Sequence, residues 1–178
     1  KDRIDSQIIT HYPKQLEVGI SITDQEAWQD RGSDSIELDI PYYFREIVEQ
    51  VAFEARESEY IDQKSGVSAR LTRSAFEDLI SAAERRALIN GEETTTARIS
   101  DLNYIAPAIT GKVELVYEGE QEGPQNVARL LIGRAVKSTF NKYFPNPSAD
   151  KENKSPYREI VSWFASGNHL EIDPDADF

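Results

Sequence analysis

Between Pro41 and Ala55, apolar residues recur every three or four positions: Phe44, Ile47, Val48, Val51, Ala52 and Ala55, with Arg45, Glu46, Glu49 and Gln50 opposite. That period marks an amphipathic helix with one buried face. Pro41 suits its first turn, where the missing N–H would be unpaired anyway. A second stripe, Phe76, Leu79, Ile80, Ala83, Ala87 and Leu88, predicts a helix capped by Thr72. Leu71 and Phe76 staple its entry, and Asn90-Gly91 closes it. A third helix is predicted from Pro124 to about Tyr143, on Val127, Leu130, Leu131, Ala135, Phe140 and Tyr143. A last one, Tyr157–Ala165, carries Ile160, Val161 and Phe164 on one side.

Between these the pattern is weaker. Thr23 and Glu26 form a capping box, predicting a short helix over Asp24–Asp30. Ser100 is placed to cap another through Leu102, Ile105 and Ala106. Arg3–His11, Ile36–Ile40 and Val113–Tyr117 read as short strands or extended segments, on their β-branched and alternating residues. Residues 118–123 and 145–156 read as polar connections, and the acidic end EIDPDADF as a frayed tail. The fold class is mainly α, with marginal short strands.

Composition narrows the function classes. Of 178 residues, 39% are hydrophobic and 29% charged, the profile of a globular chain. No apolar run approaches the roughly 20 residues a membrane helix needs. The first residues do not resemble a signal peptide, so a cytoplasmic location is expected. There is no methionine, and the chain reads as a piece of something longer. Without cysteine there is no disulfide and no thiolate metal site. His11 and His169 belong to no spaced ligand motif, so no metal site is expected. Glu57, Glu59 and Asp62 read as a solvated helix end. The net charge of −12 disfavours nucleic acid as a partner. Arg70, Arg73, Arg85 and Arg86 are a local exception.

Arg70 stands at the predicted start of a helix, after Gly66-Val67-Ser68-Ala69. A helix start carries partial positive charge and favours Asp or Glu. One reading makes Arg70 a surface cation beside Asp62 or Glu77. The other makes it part of an anion site. Arg70, Arg73, the Thr72 and Ser74 hydroxyls and free backbone amides would then suit phosphate, which the guanidinium fork matches well.

Gly66-Val67-Ser68-Ala69-Arg70 resembles the Gly-x-Ser-x-Arg element in the helical lid of AAA+ ATPases, in the branch of MoxR proteins and the magnesium-chelatase ATPase subunit. Asp2-Arg3-Ile4-Asp5 is similar to the segment before the last core strand of that branch. Ile61–Arg70, Ala82–Ala87, Ile99–Leu102 and Gly111-Lys112 resemble other parts of the same lid. The likeness covers about residues 2 to 117 and continues less specifically to Phe144. It implies a helical lid-type bundle over 16–117, the end of a core over 1–15, a helical extension over 118–165 and an acidic tail over 166–178. It implies that Arg70 is the sensor-2 arginine, touching nucleotide phosphates with Ser68 and Arg73 nearby, and that Arg3 matches an arginine finger. ATP and Mg2+ would be the cofactors of the parent. Its own core, neighbouring ring subunits and a remodelled protein would be the partners.

The chain departs from that family in one respect. It contains no Gly-x-x-x-x-Gly-Lys-Ser/Thr loop and no strand ending in paired acids, so it cannot hydrolyse ATP by itself. The alternative is a non-catalytic acidic helical module for protein–protein interaction, with Trp163-Phe164 as its candidate contact. Those two residues read more readily as packing the last helix onto the long one.

Overall fold

The computed structural model describes residues 6–29, 31, 36–147 and 155–177. Over these the protein is mainly helical. The order is α1 (Leu16–Glu26), β1 (Glu37–Asp39), α2 (Tyr42–Glu57), α3 (Leu71–Asn90) and β2 (Thr94–Thr96). A 3-10 helix (Ile99–Ile105) follows, then α4 (Ala106–Thr110), α5 (Tyr117–Glu122), α6 (Pro124–Tyr143) and α7 (Arg158–Ala165). β1 and β2 pair in parallel, with Leu38 opposite Thr95.

The three strongest stripes build the core. Phe44, Ile47, Val48, Val51, Ala52 and Ala55 of α2 are all buried, as are Phe76, Leu79, Ile80, Ala83 and Ala87 of α3. α6 lies along α2 and adds Val127, Ala128, Leu131 and Ala135 to the same cluster. Each large side chain sealed there contributes about 1.5–3 kcal/mol. Leu88, Leu130 and Tyr143, assigned to stripes by spacing, are exposed instead. They sit at the edges of faces whose centres are already covered.

Local signals were less reliable than periodicity. α1 spans Leu16–Glu26, so Thr23 lies inside a helix rather than capping one over Asp24–Asp30. Its hydroxyl turns inward and donates to Thr72 Oγ1 at 2.8 Å. Thr72 is correspondingly buried and does not cap α3; Arg70 occupies that position. Ser100 likewise sits within the 3-10 helix, which starts after Arg98. Glu49, assigned to the polar face of α2, is 2% exposed because α1 covers it. The approach is close enough that a Cβ on Gly19 would overlap the Glu49 side chain and force it to shift.

Residues 113–116 are extended but form no strand. Leu115 makes an isolated antiparallel bridge with Ile61, and Val116 N–H donates to the Tyr60 carbonyl at 3.0 Å. α5 spans Tyr117–Glu122, where residues 118–123 were expected as a polar connection and Tyr117 as the end of an extended segment. Ile8 and Ile9 are 86% and 88% exposed and lie in no strand. α7 buries none of its side chains, contrary to the expected packing against α6. Residues 175–177 of the acidic tail bond to α3 and Arg98, and the last residue lies outside the described residues. No helix among the described residues is long and apolar enough to cross a membrane.

Candidate functional site

The loop before α3 is tied to residues 112–116 by backbone hydrogen bonds. Asp62 N–H donates to Glu114 O at 2.9 Å, and Ser68 N–H to Lys112 O at 3.1 Å. Within the loop, the Asp62 carboxylate accepts from Lys64 N–H at 2.8 Å and from the Ser65 hydroxyl at 3.3 Å. That is an Asx-type turn, formed because a short acid can bond to the backbone two residues on. Gly66 then takes φ 74°, a conformation that costs other residues steric energy. Tyr12 packs beneath the loop and accepts from Val67 N–H at 3.2 Å. The Arg56 guanidinium lies over its ring, 4.5 Å from the centroid.

These bonds hold a cavity of about 530 Å³ open between the loop and residues 111–114. Arg70, Lys112 and Ser68 are among its lining residues. Arg70 is exposed, and its guanidinium has no partner among the described residues. Asp62 is engaged by its own loop, and Glu77 pairs with Arg73, so neither of the partners considered for Arg70 holds it. The start of α3 has no side-chain cap and no acid in its first turn. An exposed cation thus stands beside uncapped helix amides, at the edge of a polar hollow. That arrangement can receive an anion.

The other predicted site residues divide. Ser68 is in place, with its Oγ accepting from Arg70 N–H at 3.3 Å. Arg73 is drawn away: its Nε pairs with Glu77 Oε1 at 3.1 Å, one helical turn on. Burial works against the charged form of Glu77, but the Trp28 N–H, Arg73 and Arg31 outweigh it and hold the carboxyl below its usual range. Thr72 faces the core. Arg3 lies outside the described residues.

The basic region read along α3 is not one surface. Arg85 pairs with Asp175 at 2.9 Å on the exposed side. Arg86 is fully buried against Asp101 at 3.0 Å. Arg70 and Arg86 are sixteen positions apart along α3, about 24 Å at about 1.5 Å per residue. Lys112 lay in the sequence without a role beyond the Gly-Lys resemblance. Only the pairing of residues 112–116 with the loop brings it beside Arg70.

A second buried polar group lies under this site. Glu49 accepts from Thr23 at 3.4 Å and faces Thr72 and Arg56. Burial pushes its carboxyl above the usual range, against the opposing pull of Arg56 and the two threonine hydroxyls. Burial likewise lowers Arg56, whose Nε and Nη1 have no hydrogen-bond partner. Sequence spacing placed Glu49 on the solvated face of α2. The glycine at position 19, which admits α1 against Glu49, was the available signal.

No family model, curated protein or solved structure matches this chain.

Proposed function

We propose that this chain is the nucleotide-sensing lid region of a magnesium-chelatase-like or MoxR-like AAA+ ATPase. In that reading Arg70 reaches the phosphates of ATP·Mg2+ held by a cytoplasmic core that these 178 residues do not contain. Hydrolysis there would move the lid and transmit strain to neighbouring subunits and to a remodelled partner protein or metal-insertion assembly.

The carrying observation is Arg70 itself, exposed and unpaired among the described residues at an uncapped helix start. The fold gains nothing from a cation there. An anion supplied from outside would satisfy both the guanidinium and the helix amides. Lys112, lining the same hollow, adds charge of the same sign. The test is Arg70→Ala in the ring assembled with its core. Loss of one phosphate donor should lower nucleotide hydrolysis by roughly 10²-fold, with the fold intact. Unchanged kinetics and assembly would overturn the reading.

A different observation favours the interaction-module reading. On α7, Ile160, Val161, Trp163 and Phe164 are between 43% and 63% exposed. A contiguous apolar helix face of that kind commonly serves as a contact surface. Comparing pull-down by the chain and by its Trp163→Ser/Phe164→Ser variant tests it. Identical capture by both would remove α7 from any such role.

A further inference from the structure

The segment after α7 returns to the far end of α3. Asp175 Oδ1 pairs with Arg85 Nη1 at 2.9 Å, and Asn90 Nδ2 donates to the Asp175 carbonyl at 2.9 Å. Arg98 reaches over the chain, its Nη1 donating to the Ala176 carbonyl at 2.8 Å and its Nη2 to the Asp177 carbonyl at 2.7 Å. Asp175 N–H bonds Asp173 Oδ1 at 2.9 Å, which shapes the segment for this approach. Three residues ahead of Asp175, Ile172 lines a cleft of about 570 Å³ over Leu102, Ile132 and Val136. Arg98 and Arg129 also line that cleft.

Three features make this segment a replaceable occupant. Ile172 remains 76% exposed, so it rests on the rim of the cleft and leaves the apolar floor unfilled. The Arg85–Asp175 pair is about half exposed on both sides, and such pairs contribute only about 0.2–1 kcal/mol. Arg129 is exposed and has no partner among the described residues, so one cation at the cleft is unused. The contacts in use among the described residues include two backbone carbonyls on Arg98, one carbonyl–amide bond, one carboxylate and one apolar side chain. Any extended acidic segment with an apolar residue three positions before an acid can supply them.

We propose that the cleft between the 3-10 helix and α6 is a docking site for an acidic, extended segment of a partner protein. The chain's own tail reaches its rim through Ile172 and through the bonds from Arg98, and so acts as a tethered competitor. Charge complementarity supports this occupant. The chain carries −12 overall, yet Arg98 and Arg129 line this cleft, and Arg85 holds the tail at Asp175. A partner segment with a larger apolar residue and a further acid would fill the floor and engage Arg129, and so displace the tail. The proposal does not depend on the lid reading, because this cleft and the hollow at Arg70 share no lining residue.

The experiment uses the full chain and a fluorescein-labelled peptide of the chain's own sequence 167–178. Binding is read by anisotropy for the wild type and for the full-length Ile172→Ser/Asp175→Ser variant. A tether of this kind gives the native tail an effective concentration around the millimolar range, so freeing the cleft should tighten peptide binding by about tenfold or more. Adding Arg98→Ala to that variant should weaken binding by roughly tenfold, the worth of one charged donor. Arg85→Ala, on a half-exposed side chain, should weaken it severalfold and serves if Arg98→Ala disturbs the fold. Equal affinity for wild type and variant, or no effect of either arginine change, overturns the proposal. So does sedimentation showing that wild-type copies associate through their tails, since the tail would then act between chains.

Discussion

Arg86 Nη2 lies 3.0 Å from Asp101 Oδ2, with the two side chains 1% and 2% exposed. The same guanidinium donates to Thr95 Oγ1 at 2.9 Å and to the Thr96 carbonyl at 2.8 Å. The same carboxylate oxygen accepts from Arg98 N–H at 2.7 Å, which holds the start of the 3-10 helix. One ion pair therefore fastens α3, β2 and the 3-10 helix together.

Asp101→Ala would strand a buried guanidinium and orphan the Arg98 amide. Removing one partner of a buried pair costs about 3–5 kcal/mol, and urea denaturation should show a loss of that order. Arg86→Met combined with Asp101→Leu should be less damaging than the alanine variant, because no uncompensated charge remains. A loss below about 1 kcal/mol in the single variant would mean the pair does not hold these elements.

Gly66→Ala should destabilise by about 1–2 kcal/mol, since the left-handed backbone disfavours a Cβ. The new methyl would also sit 2.8 Å from the Tyr12 hydroxyl oxygen. Tyr12→Phe removes that oxygen. The double variant should therefore lose less than the sum of the singles, in a double-mutant cycle by thermal or urea unfolding. Strict additivity would show that Tyr12 does not press on the loop.

Glu49 predicts an inverted pH dependence. Burial raises its carboxyl in the folded state, so between the unfolded value, about 4.3, and the higher folded value the native protein binds more protons than the unfolded chain. Stability from this group then falls as pH rises through that window. The difference in unfolding free energy between wild type and Glu49→Gln isolates it from the other carboxylates. That difference should decline with rising pH above about 4.3; a flat or rising difference would remove the argument.

Trp163→Ala and Phe164→Ala should each change stability by less than about 0.5 kcal/mol, because neither side chain is buried. Phe44→Ala, in the sealed core, should cost about 3–5 kcal/mol. Acrylamide should quench Trp163 fluorescence in the wild type as it does in the unfolded chain. A large loss in the α7 variants would mean that the helix is held against the body.

Much of the fold is legible wherever a stripe is long. α2 and α6 need only a 3.6-residue period, a proline at the start and enough apolar area; α6 takes its expected bounds, and α2 runs two residues past the end of its stripe at Ala55. Capping patterns mislead, because Thr23, Thr72 and Ser100 can satisfy their hydroxyls by other means. Two of them bond to each other across α1 and α3. Arg70 and Ser68 stand at their expected place before α3, while Arg73 takes a nearer acid on its own helix.

What the sequence determined by itself is the helical content, the main core faces and the helix-start arginine. Those follow from interactions within a few residues, where spacing is geometry. Only the tertiary structure decided which charges are buried, paired or left open. Arg70, Arg73, Arg85 and Arg86 have the same side chain within seventeen positions. One stays free among the described residues, one pairs along its helix, one holds the returning tail and one is sealed in the core. A charge takes its role from what the rest of the chain brings beside it, and for these residues the deciding neighbours are Asp101, Asp175 and the segment around Lys112.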